Sequence, residues 1–134
     1  MSLKLQNLSA RVGGSLLFEG ITETIEPGEI LAVMGPSGVG KTTLLNLIAG
    51  FDAPGVQGTG FIELKGRPLV DTPAHRRKLG LVFQTPLLFP HLSVGENLSF
   101  GLPRDIKGKD RQSRIEEALA HAGLEGFSDR DPFG

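Results

Sequence analysis

One stretch, residues 29–50, constrains the fold more than any other part of the chain. It begins with an unbroken apolar run at residues 30–34, the pattern of a β-strand buried on both faces. Residues 35–42 read Gly-Pro-Ser-Gly-Val-Gly-Lys-Thr and fit the phosphate-loop template G-x-x-x-x-G-K-S/T. An apolar helical face then runs to Gly50, a suitable helix stop. This order of strand, loop and helix predicts an α/β fold around a polyphosphate site.

The residue types of the loop suit such a ligand. Its three glycines tolerate positive φ and let the backbone turn its N–H groups inward. The helix that starts near Lys41 adds the positive end of its dipole. We expect the Lys41 side chain to reach the β- and γ-phosphates and the Thr42 hydroxyl to bind Mg²⁺. The predicted cofactor-binding residues of the loop are Gly35, Pro36, Ser37, Gly38, Val39, Gly40, Lys41, Thr42 and Thr43.

A chance match is the alternative interpretation, since glycine accounts for 19 of the 134 residues. The context argues against chance, because the motif has the required strand before it and the required helix after it. Thr43 carries no signal of its own beyond a position at the helix start.

The composition excludes several classes of protein. The formal net charge is −1, so no basic excess indicates a nucleic-acid partner. There is no cysteine, which excludes a disulfide framework and thiolate chemistry. No apolar run approaches the roughly 18 residues that span a bilayer, and the N-terminus lacks a signal pattern. We therefore expect a soluble protein that reaches a membrane only through a partner.

The first half of the chain is predicted to be rich in strands, with residues 1–28 as an antiparallel flap beside the phosphate loop. Residues 72–78 predict a short basic helical turn opened by Thr72, whose three cations Arg76, Arg77 and Lys78 form a solvated face. The predicted strands are 3–8, 16–18 and 21–25 (broken at Gly20), 30–34, 61–64 and 79–83, with a loop at 51–60.

Helical signals dominate the second half. Ser93 and Glu96 have capping-box spacing and predict a helix to about residue 100. Ser113 and Glu116 repeat that spacing before an apolar stripe at i, i+3, i+4 and i+7, which predicts a second helix that ends before Gly123.

The order of these features resembles the ATP-binding cassette (ABC) ATPase, the motor subunit of ABC transporters. Residues 25–45 resemble that family's entry into its Walker A loop, 79–84 resemble its Q-loop, and 88–97 are similar to the segment that opens its helical subdomain. The resemblance covers nearly the whole chain but only the front part of the family's domain. It implies a P-loop NTPase core, with an ATPase core subdomain at 1–85 and the beginning of the helical subdomain at 86–134.

The resemblance also implies roles for individual residues. Lys41 and Gln84 take the catalytic positions, with Gln84 as a second Mg²⁺ ligand beside the attacking water and as a hinge between subdomains. Val12 takes the position of the aromatic residue that usually stacks on adenine, although valine has no π face and the chain has no Tyr or Trp. Phe18 is a possible substitute, with a core position as the commoner alternative. The implied cofactors are ATP and Mg²⁺.

For the intact parent, the resemblance implies an ATP-binding subunit that hydrolyses ATP to drive transport. The implied partners are transmembrane permease subunits, through the region after Gln84, and a second ATP-binding subunit, with no nucleic acid. The implied location is the cytoplasmic face of the inner membrane. The family's Walker B and signature motifs and its switch histidine have no counterpart in these residues. We therefore expect this chain alone to bind Mg·ATP without hydrolysing it.

Three other interpretations stay open at this point. A DNA-repair relative of the family would insert long coiled coils after the Q-loop, and no sustained heptad is present. A small-molecule kinase of the P-loop superfamily would need an arginine-rich lid, for which Arg76 and Arg77 are the candidates. The third is a non-catalytic truncated remnant, whose incomplete sheet would favour poor solubility or self-association.

Overall fold

The computed structural model describes residues 2–134, which form two compact units that divide between Val82 and Phe83. This division lies three residues before the boundary that the resemblance implies at residue 85. The assignment of the two parts to an ATPase core and a helical subdomain stays a prediction. The elements are β1 (Leu3–Val12), β2 (Ser15–Ile25), α1 (Lys41–Ala49), β3 (Val56–Leu64), β4 (Arg67–Pro68), a 3₁₀ turn (Ala74–Arg76), α2 (Val94–Phe100) and α3 (Gly108–His121).

The first unit is built on a four-stranded antiparallel sheet in the order β2-β1-β3-β4. Leu3 pairs with Ile25 of β2 on one side and with Leu64 of β3 on the other. The antiparallel flap predicted for the first 28 residues is thus confirmed, and β3 extends it.

A bulge in β1 explains how this strand keeps one apolar face. Leu5 and Leu8 are both buried although their separation of three residues would place them on opposite faces of a regular strand. The ladder shifts register between them, and Asn7 between them has a φ of 49°. Gly60 lies opposite, where an added Cβ would come within 2.6 Å of the Asn7 carbonyl oxygen.

The core of the first unit joins the sheet to α1. Its buried members are Leu5, Leu8, Leu44, Ile62 and Leu69. Each fully buried leucine contributes about 1.5–3 kcal/mol to folding. Leu47 of α1 packs so closely on β3 that a Cβ at Gly58 would lie 2.7 Å from its Cδ2 atom. The sheet therefore fixes the helix that follows the glycine-rich loop.

Two predicted strands, at residues 30–34 and 79–83, are wrong. Neither segment joins a ladder within the described residues, and the side chains of Ile30, Met34 and Val82 are 95%, 88% and 95% exposed. An apolar run records a tendency to be buried, whereas a strand also needs a partner in a ladder. The four-stranded sheet has β2 and β4 at its edges, and neither segment pairs with them.

Smaller differences concern where strands and turns begin. β2 runs through Gly20, which has a φ of 66° and donates its N–H to Ser9 Oγ at 2.9 Å, so the predicted break is a local irregularity. β3 begins at Val56, inside the predicted loop. The predicted basic turn forms as a 3₁₀ turn of three residues.

In the second unit, α2 has the predicted capping box. The Glu96 N–H donates to Ser93 Oγ at 3.2 Å, and the Ser93 N–H donates to Glu96 Oε2 at 2.7 Å. The similar spacing at Ser113 and Glu116 was misleading, because α3 begins earlier, at Gly108, and both residues lie inside it. The predicted helix stop is confirmed, since Gly123 follows α3 with a φ of 72°.

Two side chains hold the loops of this unit. The Asn97 amide donates to the carbonyls of Phe89, Leu92 and Ser93. The Arg111 guanidinium donates to Ser99 Oγ at 2.7 Å and to several carbonyls between α2 and α3. No helix among residues 2–134 is both long and apolar enough to cross a membrane.

Candidate functional site

The glycine-rich loop at residues 35–40 contains two glycines with left-handed backbone conformation. Gly38 and Gly40 have φ angles of 79° and 102°, in the left-handed region that other residues rarely enter. Gly35 has a φ of 158°, close to extended, and a Cβ there would lie 3.1 Å from Val39 Cγ1. Two of the three glycines are therefore required by backbone conformation, and the loop turns sharply into α1.

The Lys41 side chain folds back over this loop. Its ammonium group donates to the carbonyl oxygens of Gly35 and of Pro36, the latter at 2.7 Å. The ammonium group therefore bridges two consecutive carbonyls at the start of the loop. The loop is thus closed around its lysine.

The N-terminus of α1 lacks the groups that usually neutralise a helix start. Its N-cap is Gly40, no side chain among the described residues caps it, and its first turn holds no acidic residue. The N–H groups of the first turn have no acceptor inside the helix, and they carry the positive end of the dipole. With Lys41 they form a concentration of donors and positive charge on an exposed loop.

Phe18 of β2 supports the loop from below. A Cβ added at Gly40 would lie 3.1 Å from Phe18 Cδ1 and 3.4 Å from Leu17 Cβ. Phe18 is half-buried and packs against the core cluster, which confirms the predicted core position. The sequence gives no signal for its contact with Gly40, because the two residues are 22 positions apart.

The other predicted site residues are divided between the start of α1 and other parts of the chain. Val12 ends β1, pairs with Ser15 and Val56, and is 38% exposed. Thr42 is exposed and Thr43 half-buried in the first turn of α1. Gln84 lies in an exposed bend at the start of the second unit. The roles of these residues in base and metal binding stay predictions, and no cluster of three His, Cys, Asp or Glu side chains forms a metal site among residues 2–134.

Arg77 is buried, and the predicted solvated position of its side chain is wrong. It is 7% exposed, whereas a solvated face was predicted for the run of three cations to which it belongs. Its Nη1 donates to the carbonyls of Leu47 and Ile48 at 3.0 and 2.9 Å, and its Nε donates to that of Thr72 at 2.7 Å. Nothing in a run of three cations distinguishes the buried one.

The surroundings of Arg77 act on its pKa in opposite directions, and the lowering effect is the larger. Desolvation lowers the pKa of Arg77, and the nearby charge of Asp52 opposes that shift. An arginine stays protonated even so, because its ordinary pKa lies far above neutrality. The last carbonyls of α1 are negatively polarised and receive the charge directly.

The site as a whole can hold an anion with several phosphate-like oxygens. Each hydrogen bond to a charged group contributes about 1.5–3 kcal/mol, so a few amides and one ammonium hold such a ligand without an enclosing pocket. The loop itself offers no carboxylate or imidazole to act as a base. The geometry therefore supports binding, and the chemistry of a bond-breaking step would need further groups.

Comparison with known proteins finds relatives along nearly the whole chain. Residues 18–133 match the family model described as ABC transporter. The chain is 43% identical over 135 aligned positions to the Fe(3+) ions import ATP-binding protein FbpC 3 of Rhodococcus jostii (strain RHA1), covering 98% of this chain and 37% of that protein.

Two further relatives show the same relation. The Spermidine/putrescine import ATP-binding protein PotA of Mesoplasma florum is 38% identical, with 96% of this chain and 36% of the relative aligned. The Fe(3+) ions import ATP-binding protein FbpC of Escherichia coli (strain K12) is 39% identical, with the same two coverages. The chain thus spans little more than a third of the length of the curated relatives it matches.

Proposed function

The chain belongs to the ABC transporter family, and from that membership we propose that it is the nucleotide-binding part of an ATP-dependent import subunit with a P-loop NTPase fold. The observation that carries the proposal is the N-terminus of α1, which has no cap and follows a loop closed around Lys41. A polyphosphate supplies the acceptors that this helix start lacks.

The proposed ligand is ATP as its Mg²⁺ complex. The backbone of residues 35–43 surrounds the β- and γ-phosphates, and Lys41 exchanges its two carbonyl partners for phosphate oxygens. Thr42 and Gln84 are the proposed Mg²⁺ ligands, since a hydroxyl and a neutral amide oxygen suit this hard cation. Val12 offers an apolar contact to the base, so base selectivity is expected to be loose.

Hydrolysis is proposed for the intact parent rather than for residues 1–134 alone. Lys41 stabilises charge on the transferred phosphoryl group, and Gln84 orients the attacking water. Turnover also needs a group that polarises this water, and the glycine-rich loop contains none. The 134-residue chain should therefore bind Mg·ATP without steady-state turnover.

The proposed partners are a transmembrane permease and a second ATP-binding subunit at the cytoplasmic face of the membrane. Exposed apolar side chains follow Gln84 in the second unit and support the first contact. The Phe89 and Phe100 rings lie 4.7 Å apart at their centroids, and Phe100 is 70% exposed. These rings give a partner a rigid aromatic surface.

The cargo is not decided by these residues. Relatives named for iron import and for polyamine import match the same part of the chain at nearly equal identity. Import is the direction that these names support. The kinase alternative loses one of its two candidate lid arginines, because the buried Arg77 already donates to three carbonyls.

A calorimetric titration of Mg·ATP into the wild-type chain and into Lys41→Ala tests the proposal. Loss of one charged hydrogen-bonding group should cost about 2–3 kcal/mol, which is roughly a hundredfold in Kd. Arg76→Ala, an exposed cation outside the loop, is the matched control and should bind as the wild type does. Equal affinity of the wild type and Lys41→Ala would contradict the proposal. Steady-state ATP turnover by the wild-type chain that disappears in Lys41→Ala would contradict the statement that this chain alone does not hydrolyse ATP.

A further inference from the structure

We infer that Arg77 is a positioning residue for the phosphate loop, acting through α1, an inference that rests on the proposed function. Lys41 and Thr42 stand at one end of this nine-residue helix, and the Arg77 guanidinium holds its other end. A rigid helix transmits a fixed position from one end to the other.

The guanidinium joins two parts of the chain. Its Nη1 donates to the carbonyls of Leu47 and Ile48 in the last turn of α1, and the Leu47 carbonyl also accepts from the Gly50 N–H at 3.2 Å. Its Nε donates to the Thr72 carbonyl in the segment after β4. One planar group therefore ties the end of the helix to a separate loop in a defined orientation.

The surroundings of Arg77 are shaped to admit it. Gly50 caps α1 with a φ of 84°, and a Cβ there would lie 2.5 Å from Arg77 Nε and 2.8 Å from its Cζ. Asp52 contributes an opposing charge. An adjoining cavity of about 200 Å³ is lined in part by Gly50, Asp52 and Arg77. A glycine, an acid and an open cavity around one buried cation form a specific seat for a guanidinium.

This arrangement predicts an effect on affinity that differs from ordinary destabilisation. Without the guanidinium, the Ile48 and Thr72 carbonyls lose this donor, the Leu47 carbonyl still accepts from the Gly50 N–H, and α1 is free to shift by a fraction of an ångström. The converging donors at residues 41–43 then no longer match the phosphate oxygens. Residues that orient metal ligands from outside the coordination sphere typically change metal affinity by about 10- to 100-fold. We expect an effect at the low end of that range here, about a tenfold loss.

The test is chemical rescue of Arg77→Ala. Calorimetry should give a Kd for Mg·ATP about tenfold weaker than that of the wild type, at unchanged stoichiometry. Millimolar methylguanidinium should restore the affinity by occupying the emptied seat, whereas methylammonium should not. A variant that is merely destabilised would not regain affinity, because millimolar methylguanidinium is far below the molar concentrations that change protein stability.

Arg77→Lys keeps the experiment decisive where Arg77→Ala does not fold. A single ammonium cannot span both sets of carbonyls, so this variant should melt cooperatively and still bind Mg·ATP more weakly than the wild type. Arg76→Ala should bind normally. Wild-type affinity in the Arg77 variants, or a loss that methylguanidinium leaves unchanged, would overturn the inference alone. A wild-type chain that does not bind Mg·ATP would overturn the proposed function, and the inference with it.

Discussion

The N-termini of α1 and α2 face the same physical problem and meet it in opposite ways. At α2, the N–H groups of Val94 and Gly95 donate to the carbonyls of Arg130 and Ser128 at 2.9 and 2.8 Å, and the Glu96 N–H donates to Ser93 Oγ. At α1, a glycine occupies the cap position and no described side chain accepts from the first turn. The chain satisfies one helix start internally and leaves the other to be satisfied from outside.

Among the three helices, α1 alone has neither a side-chain cap nor an acidic residue in its first turn within the described residues. α3 also lacks a side-chain cap, but Asp110 places a negative charge in its first turn. α1 has neither a cap nor an acid, and the ammonium of Lys41 adds positive charge there. Positive charge at an uncapped helix N-terminus destabilises the folded chain. Such local destabilisation is expected at a functional site, where a bound anion would stabilise the helix start.

The largest effect on the free energy of unfolding should come from Gly40→Ala, at the open helix start. The left-handed backbone of this position costs an alanine about 1–2 kcal/mol, and the new Cβ would also press on Phe18. Gly38→Ala carries the same backbone cost at a position with nothing within 4 Å of its Cβ. Urea unfolding should show Gly40→Ala as the less stable variant, by about 1 kcal/mol. Equal stabilities would show that Phe18 does not support the loop.

A smaller effect should follow from Gly95→Ala, at the satisfied helix start. Alanine in a helix normally stabilises by about 1 kcal/mol relative to glycine. Here the new Cβ would collide with the Ser128 side chain and lie 3.0 Å from the Ser128 carbonyl oxygen, so we expect a net loss of about 1–2 kcal/mol. Gly101→Ala, whose nearest contact would be 3.6 Å away, is the control. A stabilised Gly95→Ala would mean that residues 128–130 do not cap α2.

The smallest effect is expected for Ser93→Ala. Loss of the capping hydroxyl should destabilise by about 1 kcal/mol and leave the affinity for Mg·ATP unchanged. Ser113→Ala, inside α3 on an exposed surface, should change stability by less than about 0.5 kcal/mol. Thermal unfolding measured by circular dichroism compares the two variants. Similar losses for both would show that the capping box contributes little.

The sequence predicts the local features of this molecule well. The glycine-rich turn, α1, the stop at Gly50 and the capping box at Ser93 each depend on a few neighbouring residues, and all of them form. Such features follow from backbone conformation and from hydrogen bonds within one turn, which a single sequence contains.

The pairing of segments that are far apart in sequence could not be predicted. Residues 30–34 are as apolar as the buried positions of β1, yet they join no ladder within the described residues. The bulge at Asn7, which keeps Leu5 and Leu8 on one face, has no local signature either. Both outcomes depend on pairing between segments that are distant in sequence, and that information is spread over the whole chain.

The candidate site shows the same division. Its loop could be located from the sequence, because the template fixes the glycines at residues 35 and 40 and the Lys41-Thr42 pair. Arg77 and Phe18 could not, since their partners lie 29 or 30 and 22 residues away in sequence. A buried cation and its exposed neighbours look alike until the carbonyls that surround one of them are known.

The most direct test of polyphosphate binding by the loop follows the backbone amides by NMR while inorganic tripolyphosphate is added to the full chain. If α1 offers an open helix start, the amide resonances of residues 38–43 should shift with saturation, and Lys41→Ala should weaken that response. The amides of residues 94–96, which already have acceptors, should stay in place. Unmoved resonances at residues 38–43, or equal shifts at both helix starts, would contradict the claim that this loop holds a polyphosphate.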